Sequence, residues 1–221
     1  MADEFHAVST QDSIAHSVLA ERFSAAGRTD IVGVFTTGSD AEVSVAMVAE
    51  ALGLPGISPS AAMNCKNKIR ARECMDLAGI PQPTWYAGVK IADLAQAASQ
   101  IEFPVVVKTP ELSGSRGVSI HNNYSKFYVA LQKARELSGD GRVLIEKCIR
   151  KGDDIPEYST EILFDNDGRC HHLNTVERRF RVINGVPIEV GPINPAPLKD
   201  RRAHALFLLA DNLAMEVQFD L

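Results

Sequence analysis

The stretch Phe103-Pro-Val-Val-Val-Lys108, followed by Thr-Pro-Glu-Leu-Ser113-Gly114-Ser115-Arg116-Gly117 and then Val118-Ser-Ile120, constrains this chain more than any other. An apolar run of that length fits a buried strand, and this one delivers a lysine at its end. The loop after it is rich in glycine and serine, so its backbone can come close to a ligand. Successive N–H groups in such a loop can form an anion-binding nest. A lysine on a fixed strand adds a point charge suited to phosphate. Standing alone, the same residues fit a solvated edge lysine and a plain hairpin equally well.

The surrounding pattern is that of an α/β and then α+β chain. Residues 12–26 carry apolar positions at helical spacing and stop at Gly27. Asp30-Ile-Val-Gly-Val-Phe-Thr36 reads as a buried parallel strand, followed by a turn at 37–40 and a helix over roughly 41–52 that ends at Gly53. That strand–turn–helix is where open α/β sheets place ligands. Ser58-Pro59-Ser60 opens another helical segment, which Gly79 closes, and Ile80-Pro-Gln-Pro83 reads as an extended linker at a domain boundary. Next come a strand near 84–88, a helix near 91–101, the strand 103–108, a strand near 117–121, a helix near 124–137 and the strand 142–146. Glu157–Phe164 and 169–179 form a hairpin around Asp165-Asn-Asp-Gly168, and Asn184-Gly185 makes a second one. A helix near 198–213 and a strand over 215–221 complete the chain. The expected units are 1–58, 59–82 (a helical linker), 83–146 and 147–221.

Charge and cysteine usage remove several function classes. Lys plus Arg is 23 against 28 Asp plus Glu, a net charge of −5, which argues against a phosphate-tracking nucleic-acid binder. No apolar run spans a bilayer and no signal peptide is visible, so the expectation is no membrane partner and a cytoplasmic location. Cys65, Cys74, Cys148 and Cys170 form no C-x-x-C pair. His171 and His172 sit side by side on a strand and so point to opposite faces, which favours strand residues over a shared metal. Further on, Val143-Leu-Ile-Glu146-Lys147-Cys148-Ile149 can offer backbone groups to a purine edge. Glu157 can accept hydrogen bonds from ribose, although two exposed strand glutamates fit as well.

The ordered set resembles the ATP-grasp superfamily. It comprises Lys68, then Pro-Val-Val-Val-Lys108 with its Ser-Gly-Ser-Arg-Gly loop, then Leu-Ile-Glu146 and Glu157-Tyr-Ser-Thr-Glu161. Lys66-Asn-Lys68-Ile-Arg-Ala-Arg-Glu-Cys-Met-Asp-Leu-Ala-Gly79-Ile-Pro-Gln-Pro83 looks like that family's helix and linker. The subgroup most similar is the carboxylate–amine ligases like carbamoyl-phosphate synthase and biotin carboxylase, over roughly residues 30–221. The resemblance implies an ATP-grasp fold, with 1–58 a partial Rossmann-like domain ahead of it, 83–146 the small lid subdomain and 147–221 an incomplete large subdomain, and with ATP and Mg2+ as cofactors. Lys68 and Lys108 would contact phosphates. Ser113, Gly114, Ser115, Arg116 and Gly117 would form the mobile lid. Glu146, Lys147, Cys148 and Ile149 would be the hinge strand facing adenine, and Glu157 would bind ribose. Arg178 and Arg179 would lie near the reacting phosphate or acceptor. Gln218 would be the first magnesium ligand, with Glu216 as the alternative on the same strand face.

Family members continue with a strand ending in Glu-x-Asn and begin with a complete Rossmann-like domain. The expectation is therefore a fragment, a split gene or a short paralogue that assembles with a partner. The implied chemistry is attack of a carboxylate on the γ-phosphate, giving an acylphosphate, then displacement of phosphate by an amine. A chain ending at Leu221 is expected to keep most nucleotide contacts and lose most turnover. ATP, a small carboxylate and an amine acceptor are the expected partners, with a homodimer or a complementing chain as the protein partner. Two alternatives stand beside this reading. One is a non-catalytic regulatory or scaffolding module; the other is a different enzyme on the same fold, such as a biotin carboxylase component or a phosphoribosyl-type purine enzyme. Substrate identity would lie in segments such as the loop 180–197.

Overall fold

A computed structural model describes residues 4–10, 12–37, 40–149, 157–165, 169–184, 186–198, 205, 206, 208 and 209. Four helices come first: α1 (Ser13–Ala25), α2 (Glu42–Ala51), α3 (Pro59–Lys66) and α4 (Lys68–Leu77). Helix α1 starts where the Asp12 carboxylate accepts a hydrogen bond from the Ala15 N–H at 2.9 Å, an N-cap that satisfies one of the orphan amides of the first turn. Val43 and Ala46 of α2 bury against Ala62 of α3, and Ala61 of α3 meets Cys74 of α4. These contacts are between small side chains, so the helices approach closely while burying little area each.

Two sequence expectations change in this region. The apolar run 30–36 is not a strand, and Val32 and Phe35 are 84% and 83% exposed. A strand needs a neighbour for its N–H and C=O groups, and among the described residues none borders this run. The helical segment from Ser58 to Gly79 is two helices, split at Asn67 (φ −84°, ψ 114°). The buried Asn67 side chain is the cause. Its Oδ1 accepts from the N–H groups of Ile69 and Arg70 at 3.0 and 3.2 Å, and its Nδ2 donates to Glu111 Oε1 at 3.2 Å. An asparagine that caps a new helix competes with continuation of the old one.

The next unit contains β1 (Trp85–Gly88), α5 (Ile91–Ile101), β2 (Val105–Lys108), β3 (Val118–His121), α6 (Phe127–Leu137) and β4 (Val143–Lys147). Its sheet has the order β1-β4-β2-β3 and every pair is antiparallel. Strand alternation sorts the side chains. Val105, Val107, Val143 and Ile145 face α5 and α6, where they bury with Leu94, Ala98, Phe127 and Leu131. Each such large apolar side chain contributes about 1.5–3 kcal/mol of transfer free energy. Val106, Lys108 and Glu146 take the opposite face, and Val106 stands directly across from Glu146. The core thus pins the sheet on one side and leaves the other to carry polar groups.

A second antiparallel sheet follows, β5 (Glu157–Phe164), β6 (Cys170–Ile183) and β7 (Val186–Ile193), in that order, with bulges at Glu161/Ile162 and Arg179/Phe180. Strand β6 runs four residues past the expected end, so most of the segment taken as a loop over 180–197 is a hairpin closed at Asn184 (φ 53°). Strand β7 lies against β3, so the two sheets meet there. The expected strand over 215–221, and most of the helix over 198–213, lie outside the described residues. Among the described residues no helix is long and apolar enough to cross a membrane.

Candidate functional site

A cleft of about 520 Å³ opens between the sheets. Lys68 and Arg72 of α4 supply one wall, Val106 and Lys108 of β2 with Glu146 of β4 the floor, and Glu157, Arg178 and Phe180 the facing sheet. Lys147, Cys148 and Ile149 run along its edge, and Ser115 reaches it from the loop. Nine of the residues singled out from sequence therefore line one cavity. Its size falls in the range of small-molecule and cofactor sites, about 300–1,000 Å³.

The floor is organised by one buried carboxylate. Glu146 is 3% exposed; its Oε2 lies 2.5 Å from Lys108 Nζ and its Oε1 accepts from Arg72 Nε at 2.8 Å. Lys108 reaches Glu146 because Val106, two residues back on the same face, is its cross-strand partner. Burial pushes the Glu146 carboxyl up. The Lys108 charge and the hydrogen bond and charge of Arg72 outweigh that and hold it below the ordinary carboxylate value. The site keeps a surplus of positive charge. Lys68 stands close enough to Lys108 that burial and this neighbour together push its ammonium below the usual lysine value. An anion placed beside the two lysines would offset both effects, so the electrostatics of the cleft favour an anionic occupant.

Lys68 also holds the base of the loop. Its Nζ donates to the carbonyls of Leu112 at 2.5 Å and Pro110 at 3.3 Å, and its backbone N–H donates to Pro110 at 3.0 Å. Three loop residues have positive φ: Gly114 (64°), Ser115 (61°) and Gly117 (69°). Gly117 lies against Thr109, whose N–H donates to the Gly117 carbonyl at 3.0 Å. A Cβ there would sit 2.2 Å from Thr109 Oγ1, inside any real contact distance. Gly117→Ala should therefore destabilise the protein by roughly 1–3 kcal/mol, from overpacking plus a left-handed alanine. Urea unfolding checks this; a midpoint unchanged from the parent would mean that the loop base yields without cost.

Ser113, Gly114, Arg116 and Gly117 share the loop with Ser115 but do not line the cleft. The exposed Arg116 turns away and pairs with Asp40 at 2.9 Å, linking the loop to the N-terminal helices. Lys147 does not point into the cleft with its charge; its Nζ donates to the carbonyls of Glu102 and Phe103 at the end of α5, at 2.8 and 3.4 Å. The amides of Lys147 and Cys148 donate to Thr84 and Pro104, at 2.8 and 2.9 Å, as sheet bonds. Arg178 bridges β5 and β7 through Glu157 at 3.2 Å and Glu189 at 2.7 Å, with Phe180 under its guanidinium at 4.9 Å. Arg179, on the other strand face, pairs with Glu177 at 3.4 Å and does not line the cleft. His171 and His172 bond Asp165 and Thr175, at 2.7 and 2.9 Å. Gln218 and Glu216 lie outside the described residues. Among the described residues no three carboxylate, histidine or cysteine side chains gather as a metal cage.

Arg72 is the participant missed from sequence. It stands four residues after Lys68, hence on the same face of α4, and that spacing was the available signal. Gln82 was read only as part of a linker. It donates to the Arg72 carbonyl at 3.0 Å and its Oε1 accepts from Arg72 Nη1 at 3.3 Å, so the linker is buttressed against the helix that carries Lys68.

Comparison with known proteins places this geometry. Residues 67–220 match the family described as carbamoyl-phosphate synthase L chain, ATP binding domain. The carbamoyl phosphate synthase large chain of Pyrococcus furiosus is 27% identical over 169 residues, covering 75% of this chain and 15% of that protein. Among solved structures, an L-amino acid ligase from Bacillus licheniformis superposes with a TM-score of 0.69 at 23% identity, covering 94% of this chain and 47% of that one. The biotin carboxylase domain of Hydrogenobacter thermophilus 2-oxoglutarate carboxylase, solved with MgADP, ADP and bicarbonate, gives 0.77 at 21%, covering 99% and 49%. The chain spans between 15% and 33% of the length of the first curated relatives and about half of these solved chains.

Proposed function

The chain belongs to the carbamoyl-phosphate synthase L chain ATP-binding domain family and has the ATP-grasp fold, and from that premise we propose that the cleft between its sheets binds ATP for a carboxylate–amine ligation. The observation that carries this reading is the gathering of Lys68, Arg72, Lys108 and Ser115 around one cleft whose only buried anion, among the described residues lining it, is Glu146. Three cations against one carboxylate leave a surplus that suits a polyphosphate.

In this reading Lys68 and Lys108 bind the phosphates, and Glu146 orients Lys108 rather than touching nucleotide with its side chain. The loop 113–117 covers the β- and γ-phosphates, its backbone suited to close approach by the positive φ angles at Gly114, Ser115 and Gly117. Purine recognition falls to the edge 146–149. The Lys147 and Cys148 amides are engaged in the sheet, so the hinge would offer carbonyl oxygens and the Ile149 N–H. Glu157 and Arg178 form the ribose side, with Glu157 the acceptor. Magnesium supplies charge neutralisation on the phosphates, and Gln218 and Glu216 are the residues proposed to hold it. The ligation runs through attack of a substrate carboxylate oxygen on the γ-phosphorus, giving an acylphosphate and ADP. An amine then attacks the acyl carbon and phosphate leaves.

Calorimetric titration with MgADP and MgATP, alongside phosphate release with mixed amino acids, tests this. Saturable nucleotide binding is expected, and phosphate release that requires both a carboxylate and an amine would support the ligation. No binding at millimolar nucleotide would overturn the nucleotide reading.

A further inference from the structure

A second cavity, of about 370 Å³, lies across β3 from the cleft. Strand alternation separates the two: Ile120 faces the cleft, whereas Ser119 and His121 face the cavity. Helix α6 supplies the other wall through Val129, Ala130, Lys133 and Ala134, its N-cap Lys126 adds to that wall, and Val186 of β7 completes it. Lys126 has a left-handed backbone (φ 60°) just ahead of the first turn, and Lys133 stands about two turns on, roughly 9 Å along the axis, with Val129 and Ala130 between them. No aspartate or glutamate lines the cavity, and among the described residues neither lysine is paired with a carboxylate. Ser119 Oγ and His121 Nε2 lie 2.8 Å apart on the facing strand. Burial pushes the His121 imidazole below its ordinary value, so the two lysines are the charges of the cavity at neutral pH.

We propose that this cavity binds a short extended dianion, with an anionic group at each end held by Lys126 and Lys133 and an apolar middle lying over Val129, Ala130 and Val186. The site is separate from the nucleotide cleft, yet Ser115 lines both and Gly117 lines this one. An occupant would therefore bear on the base of the loop, and by linkage a nucleotide that repositions the loop would change the affinity for the dianion.

The test titrates the full chain with straight-chain dicarboxylates from succinate to suberate, with acetate and inorganic phosphate as single-anion probes. The series is repeated on the double variant Lys126→Gln, Lys133→Gln. Both lysines are exposed, so loss of the charges leaves the core intact, and a thermal melt verifies it. Affinity should peak at one chain length, exceed that of acetate at least tenfold and fall at least tenfold in the double variant. Charge reversal by Lys133→Glu should abolish it. No saturable dicarboxylate binding at millimolar concentration overturns the proposal, as does equal affinity in the double variant. Acetate or phosphate binding as tightly as the best dicarboxylate overturns the two-ended occupant. None of these readouts uses nucleotide, so failure here leaves the ATP reading untouched.

Discussion

Glu146→Gln should lower the melting temperature by roughly 6–12 °C, corresponding to about 3 kcal/mol. The substitution keeps the shape but removes the charge that Lys108 and Arg72 share, and it replaces one of the two accepting oxygens with an NH2 that can only donate. Removing one member of a buried ion pair costs about 3–5 kcal/mol, because the partner cations stay desolvated without an anion. The lower end applies because the Lys108 and Arg72 side chains keep 23% and 17% of their exposure. The same carboxylate sets an acid dependence. Its folded pKa lies below the unfolded value, so its stabilisation is full above about pH 4.5 and is lost as pH falls through the folded value. The variant should lack this acid-sensitive component. Urea unfolding from pH 7 down to 3 reads both effects, and a variant whose stability falls with pH as steeply as the parent would show that the triad is not their source.

Lys108→Ala should weaken MgADP binding about 10- to 100-fold, the equivalent of one charge-assisted hydrogen bond of about 1.5–3 kcal/mol. The lysine stands at the end of β2 with its ammonium on the cleft floor, and no other cation of β2 can substitute. The structural penalty should be smaller than for Glu146→Gln. Once Lys108 is gone, Glu146 still accepts from Arg72, so the buried charge keeps a partner. The two variants thus separate pairing from binding: one loses more stability, the other more affinity. Calorimetric titration together with a melt distinguishes them, and unchanged nucleotide affinity would reduce Lys108 to a structural counter-ion.

Much of the unit from β1 to β4 was readable because its signals are local and redundant. Val105 and Val107 alternate against Val106 and Lys108, glycines mark the turn, and α5 and α6 carry apolar stripes that can face only one way. What escaped sequence reasoning depends on partners distant in the chain. The run 30–36 has the composition of a buried strand, but no described strand stands beside it, and apolar character alone cannot supply the ladder. The break at Asn67 turns on a hydrogen bond to Glu111, 44 residues away, which no helical periodicity records. Arg72 looked like an ordinary surface cation of a helix. Its role depends on Glu146, 74 residues later. Hairpin β6–β7 was half seen, since Asn184-Gly185 signals the turn while the charged residues around it hide the strands.

Asn67 ends α3, begins α4 and bonds the root of the loop, so Lys68 leaves a fixed pivot in a fixed direction. An α-helix turns about 100° per residue. Inserting or deleting a single residue between Asn67 and Arg72 would swing one of the cationic side chains about a quarter of the way round the helix, out of reach of Lys108 and Glu146. Length variation among relatives should therefore gather elsewhere, in the stretch before Ser58 and in the turns of the second sheet, while the spacing from Asn67 through Lys68 to Arg72 stays invariant.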